Sequence, residues 1–176
     1  MKATGIVRRI DELGRIVVPK EIRRVMRIRE GDPIEIFTED GRVVLQKYAR
    51  MRELGEDAHT LCRALSGALG CSAGVTDSES VQTAFGALKK RLLGAALSDA
   101  YMSCMRERRV YRASESDPPF TDGEPFRSFA AVPILASGDL AGSVFLASDE
   151  PRLPLGDAEL AALKTAALYL GTLLEE

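Results

Sequence analysis

The sequence predicts an α+β protein in two units, a small basic strand-rich unit followed by a larger helix–sheet–helix domain. Three observations predict it. Within the first fifty residues, β-branched runs ("TGIVRRI", "RIVV") are separated by the turn residues "DELG", which is strand-and-turn chemistry. From residue 51 the apolar positions step by threes and fours, the period of a helix. The charge divides near the same place. Residues 1–55 carry 13 Lys and Arg against 9 Asp and Glu, net +4, whereas residues 56–176 carry 11 against 17, net −6. A basic segment on an acidic remainder points to a first unit that meets a polyanion.

Element by element, the first unit reads as short strands around one short helix. Pro19 suits the first helical position, where its fixed φ fits and its missing N–H is no loss. In "PKEIRRVMR", Ile22, Val25 and Met26 fall at i, i+3 and i+4 on one face. Lys20, Arg24 and Arg27 lie on another, with Arg23 beside it, and Gly31 ends the segment. "PIEIFTEDGRVVLQKY" is a hairpin turning at Asp40-Gly41, a strong two-residue turn signal. A unit of this size buries only about 60% of its unfolded surface, and Phe37 and Tyr48 are few aromatics to fill a core. An obligate dimer with exchanged strands solves that problem.

In the second unit Met51, Leu54, Ala58, Leu61, Leu65 and Ala68 trace an amphipathic helix ending near Gly70. "CSAGVTD" and "VQTAFG" read as strands, and "ALKKRLLGAALSDAYMSCMRER" as a mostly helical stretch. "SFAAVPILASGDLAGSVFLAS" is a strand, a Gly-Asp turn and a second strand. Asp157 is the expected N-cap of a last helix, with a seam at Leu160, Leu163, Ala167, Leu170 and Leu174 fit for helix packing. The boundaries follow as 1–50 for the first domain, 51–55 for a linker into helix, and 56–176 for the second.

Other function classes find little support. Hydrophobic content of 45% and charged content of 28% suit a globular protein. No apolar run approaches the roughly 20 residues of a membrane span, and "MKATGIVRR" has no apolar signal region. Cys62, Cys71 and Cys104 are too scattered for a disulfide framework or a CxxC pair. His59, the one histidine, has no metal-ligating cluster beside it. A cytoplasmic protein without metal or cofactor is expected. No nucleophile, base and orienting group recur at plausible spacing, so catalysis is not expected either.

The run "KATGIVRRIDELGRIVVPKEIRR", with "IREGDPIEIF" and "GRVVLQKY" after it, closely resembles the AbrB-type transition-state regulators, and most of all their two-domain sporulation branch. That resemblance implies a swapped-hairpin DNA-binding dimer, in which the strands of two chains interleave into one small β-barrel. Behind it the order of elements is similar to a GAF-like α/β domain with flanking helices. The resemblance further implies a Gram-positive spore former, in which the protein activates or represses sporulation or transition-state genes. The family's DNA-facing arginines map onto Arg8, Arg15, Arg23 and Arg24, with Lys2, Arg9, Lys20 and Arg27 as additions. It also implies that helices of the second domain pair dimers into a tetramer, although the two seams suit an internal core equally.

The physics agrees with this. Arginine offers a rigid, permanently charged fork suited to phosphates and guanine edges, and dimerisation doubles four such groups to eight. The default reading of basic residues on a short helix is a solvated face. An antitoxin-like protein that binds a protein partner is the alternative, because antitoxins share this N-terminal fold, although residues 56–176 have a full core pattern where antitoxin tails are short.

In the second domain, "ASESDPPFTDGEPFRS" (113–128) is the candidate lid over a ligand pocket on the sheet. Arg112 and Arg127 flank it and, with Cys71, are the candidates for holding a small-molecule effector; solvated arginines are the ordinary alternative. Some GAF-type domains resemble free-methionine sulfoxide reductases, which use thiols, but lone cysteines are more often small buried hydrophobes.

Overall fold

The computed structural model describes residues 5–26, 28, 30–31, 34–47, 51, 53–113, 118–122, 126–150 and 155–175. The chain divides into two compact units, Met1–Tyr48 and Ala49–Glu176, and each is described by itself.

The first unit holds one helix, α1 (Lys20–Val25), and an antiparallel pair, β1 (Ile34–Glu39) and β2 (Arg42–Lys47). Asp40 and Gly41 join the strands with φ of 48° and 74°, and Glu39 pairs with Arg42. Two consecutive left-handed residues are what a tight I′ hairpin turn requires. Pro19 stands one place earlier than expected, at the N-cap with φ −58° and ψ 148°, and its carbonyl accepts the Arg23 N–H at 2.9 Å. The segments expected as strands at 5–10 and 15–18 are neither helix nor strand in the single chain. A strand needs a neighbour to complete its hydrogen bonds, and among the described residues of this unit only β1 and β2 pair. The apolar residues are correspondingly uncovered: Val7 is 86% exposed, Val17 74% and Val25 78%.

The second unit is a five-stranded antiparallel sheet with helices on both faces. Its strands are β3 (Ser72–Thr76), β4 (Val81–Phe85), β5 (Tyr111–Arg112), β6 (Ser128–Ala136) and β7 (Asp139–Ser148), in the order β4-β3-β7-β6-β5. Period-2 alternation on the central strands sorts side chains between two cores. Ala130, Val132 and Ile134 of β6, with Val144 and Leu146 of β7, face the helices α2 (Gly55–Leu69) and α5 (Asp157–Leu173). Those helices answer with Ala58, Cys62, Leu65, Leu163, Ala167 and Leu170, so the two seams form internal core. On the other face Phe129, Ala131, Phe145 and Ala147 meet α3 (Lys89–Leu92) and α4 (Asp99–Arg106) through Leu92, Tyr101 and Met105.

Three local details differ from the sequence reading. The helical stretch after residue 87 breaks at Leu93, because Gly94 and Ala95 exchange main-chain hydrogen bonds with Val81 of β4, both at 3.0 Å. The β6–β7 turn is Ser137-Gly138, both with positive φ, and Ala136 pairs with Asp139. Gly156 rather than Asp157 caps α5; its N–H donates to the Glu159 carboxylate at 2.8 Å. Among the described residues no helix is long and apolar enough to cross a membrane.

Candidate nucleic-acid interface

In the first unit the sequence "DELGR" forms a turn closed from both directions. The Asp11 N–H donates to the Arg15 carbonyl at 3.1 Å, and the Gly14 N–H to the Asp11 carbonyl at 2.9 Å. Gly14 has φ of 75°, a conformation that glycine adopts without the strain a β-carbon brings. The Asp11 side chain completes the turn, since Oδ1 accepts the N–H groups of Leu13 (3.0 Å) and Arg15 (2.8 Å). Its second oxygen accepts Nε of Arg15 at 2.7 Å. The Arg15 main-chain N–H, then its guanidinium, hold the Asp11 carboxyl below the usual carboxylate range.

The other candidate DNA contacts lie on either side of this turn. Arg8 and Arg9 are exposed in the segment before it, and Lys20, Arg23 and Arg24 are exposed on α1. Lys20 and Arg24 are four residues apart and so share a helix face. Lys2 and Arg27 lie outside the described residues. Arg15 is 70% exposed despite its ion pair. The sequence marks Asp11 as a turn residue but gives no sign of its bond to the Arg15 side chain; an Asp ahead of a Gly is a signal for side-chain capping of a turn.

The second unit places its candidates at one end of the sheet. By register Arg112 pairs with Ala130, Ser128 with Ser148, and Ser72 with Ala147, so Arg112, Arg127 and Cys71 come to the same end of the sheet, on or beside three different strands. They are not equivalent. Nη1 of Arg112 donates to the Leu155 carbonyl at 2.7 Å, Arg127 is exposed, and Cys71 is buried in the core beneath α2 and α5. The loop expected to cover a pocket brings Phe120 and Phe126 into an aromatic cluster. Their centroids lie 5.6 Å from Phe129, which itself stacks on Phe145 at 5.1 Å. The Arg91 guanidinium sits 3.9 Å over the Phe126 ring and pairs with Asp149 at 2.7 Å. Among the described residues this face of the sheet is filled by side chains.

A recess of about 630 Å³ opens elsewhere, between the start of α2 and strand β4. Met51, Ala58 and Val75 give it an apolar floor, and Glu56, His59 and Thr83 polar walls. His59 Nδ1 lies 3.3 Å from Thr83 Oγ1 and the ring meets Phe85 edge-on. No sequence signal marked it, because its residues come from elements distant in the chain.

The thiols are placed as core groups. All three cysteines are buried. Burial pushes the Cys62 thiol up to about 12, and burial with the nearby Glu159 charge raises Cys71 to about 11. Reactive cysteines show the opposite shift. Among the described residues no group of three or more His, Cys, Asp or Glu could hold a metal ion.

Comparison with known proteins bears on both units. Residues 53–175 match the family described as stage V sporulation protein T C-terminal, transcription factor. Residues 7–53 match the family described as antidote-toxin recognition MazE, bacterial antitoxin. Stage V sporulation protein T of Bacillus subtilis is 41% identical over 180 residues, covering 100% of both chains. The solution structure of the N-terminal DNA recognition domain of the Bacillus subtilis transition-state regulator AbrB is 54% identical. It covers 27% of this chain and 91% of that one, with a TM-score of 0.24. The second unit has the GAF fold: the GAF domain of an Acinetobacter phosphoenolpyruvate-protein phosphotransferase matches 69% of this chain and 81% of its own, at TM-score 0.58 and 13% identity. The type II free methionine-R-sulfoxide reductase of Thermoplasma acidophilum shares that fold, at TM-score 0.57 and 14% identity over 71% of this chain and 94% of its own. With a match along its whole length and a family-specific C-terminal domain, the chain belongs to the stage V sporulation protein T family of transcription factors.

Proposed function

We propose that this protein is a sequence- or shape-selective DNA-binding regulator of sporulation or transition-state genes, working inside the cell on the chromosome and without catalysis of its own. In this reading residues 1–50 form the DNA-binding domain, 51–55 a linker and 56–176 the GAF-like domain. Two copies complete the first domain by exchanging strands, and the outward faces of the second domain's helices, where Leu168 and Tyr169 are exposed, join dimers into tetramers. The observation that carries the reading is the coincidence of two exposed sets in one unit. Arg8, Arg9, Arg15, Lys20, Arg23 and Arg24 are all exposed, as are Val7, Ile10, Val17, Val25, Ile36 and Val43. A second copy accounts for the apolar set and a polyanion for the basic one. Arg8, Arg15, Arg23 and Arg24, assisted by Lys2, Arg9, Lys20 and Arg27, contact the duplex. Any small effector binds the GAF-like domain, either at the end of the sheet where Arg112 and Arg127 lie with Cys71 buried nearby, or in the recess at His59.

Fluorescence anisotropy of a labelled duplex of about 30 base pairs against the full chain tests this. Neutralising roughly 6–10 phosphates lowers affinity by about 10³–10⁵ between 50 and 200 mM salt, and Arg23→Ala with Arg24→Ala flattens that slope. The match of residues 7–53 to an antitoxin family favours one second reading, that the first unit binds a small protein. Absence of DNA binding at low salt, with a small protein co-purifying at a fixed ratio, selects that reading.

A further inference from the structure

We propose that Asp11 is a positioning residue for DNA recognition, holding the Arg15 guanidinium by Nε so that its terminal nitrogens point away from the turn toward the duplex. This rests on the DNA-binding reading above. The Asp11 carboxylate divides its two oxygens between two tasks. Oδ1 accepts the main-chain N–H groups of Leu13 and Arg15, which fixes the backbone on either side of Gly14. Oδ2 accepts the side-chain Nε–H of Arg15 at 2.7 Å. One carboxylate thus ties the direction of the side chain to the geometry of the turn.

The bond uses Nε, leaving the four N–H groups on the two terminal nitrogens. Those are the donors that form a bidentate contact with a phosphate or with O6 and N7 of guanine. A free arginine of this exposure samples many rotamers and loses that freedom on binding, whereas one already held loses less. Arg15 is 70% exposed and Asp11 42%, and exposed pairs of this kind add little to folding stability. A role in orientation fits the pair better than a role in stability.

Electrostatics makes the proposal testable by its sign. A carboxylate close to DNA repels phosphate, so removing it from a bystander position strengthens binding. Removing it from a positioning residue weakens binding, even though each chain gains a unit of positive charge. Asp11→Asn keeps an Oδ1 acceptor for the turn and removes the charge that holds Nε. In full-length protein, with melting temperature followed in parallel, Asp11→Asn is expected to weaken duplex binding on the order of threefold to tenfold. That is a fraction of the loss of a bidentate contact. In an Arg15→Ala background the same change is expected to cause no further loss.

Unchanged or tighter binding by a folded Asp11→Asn variant overturns the proposal. Wild-type affinity in Arg15→Ala is a separate failure, since it removes Arg15 from the DNA contact altogether. If Asp11→Asn lowers the melting temperature, Arg15→Lys is the deciding variant, because it preserves the turn's carboxylate and the charge but lacks the Nε tether. A loss close to that of Arg15→Ala supports the held fork; full retention of affinity overturns it.

Discussion

Gly171 of α5 lies against the carbonyl oxygen of Leu135, so close that a β-carbon on Gly171 would stand 2.2 Å from it. The contact falls where β6 and β7 slip register, between Ile134 and Leu135. Replacing a helix-interior glycine by alanine ordinarily favours the helix by about 1 kcal/mol. Here the sign is reversed, because the methyl group meets backbone. Gly171→Ala is expected to destabilise the second unit by about 1–3 kcal/mol, seen as a lower calorimetric melting temperature.

Three hydroxyls are buried together between the sheet and α4. Ser143 Oγ lies 2.6 Å from both Thr76 Oγ1 and Tyr101 Oη, and all three residues are fully buried. Burial pushes the Tyr101 phenol up, so it stays protonated, and either hydroxyl of its pair with Ser143 can donate. Tyr101→Phe removes one end and is expected to cost about 0.5–1.5 kcal/mol. Ser143→Ala removes the shared centre from two buried hydroxyls and is expected to cost more, since an unsatisfied buried group loses its full desolvation energy. Urea unfolding of the two variants checks the order.

Cys62 makes stability depend on alkaline pH. Its folded pKa, near 12, stands above its ordinary value of 9.0. Below pH 9 both states are protonated and the contribution is complete. Above that the unfolded chain loses the proton first, so stability falls as pH rises toward the folded value, by at most about 1.4 kcal/mol per pH unit. Cys71 and Tyr101 are shifted in the same direction. Cys62→Ala is expected to flatten the fall in denaturant midpoint between pH 9 and 11.

Much of this was legible in the sequence, for identifiable reasons. The Asp40-Gly41 turn was readable because its backbone demands left-handed residues locally. The two strands at 128–148 and the helix at 55–69 were readable because half-buried elements print their period in the apolar residues. The last turn was misplaced by one residue, since "SGD" offers glycine to either frame and only the pairing of Ala136 with Asp139 chooses between them. The break at Leu93 was invisible, because residues 94–95 are drawn to the edge of β4 by hydrogen bonds that helix propensity does not contain.

The candidate site divides in the same way. Its basic side chains were legible as types and spacings, but the link from Asp11 to Arg15 was not, because it depends on which way a turn folds its carboxylate.

By itself, then, the sequence determined the two-unit plan, the basic character of the first unit and the hairpin register, since these depend on composition, local period and turn chemistry. Tertiary structure decided what lies across the sheet. Phe120 and Phe126 fill one of its faces, α2 and α5 close the other, the thiols are sealed in the core, and a recess opens at His59. Such contacts join residues far apart in the chain, and close packing selects among them by shape, which no local pattern records.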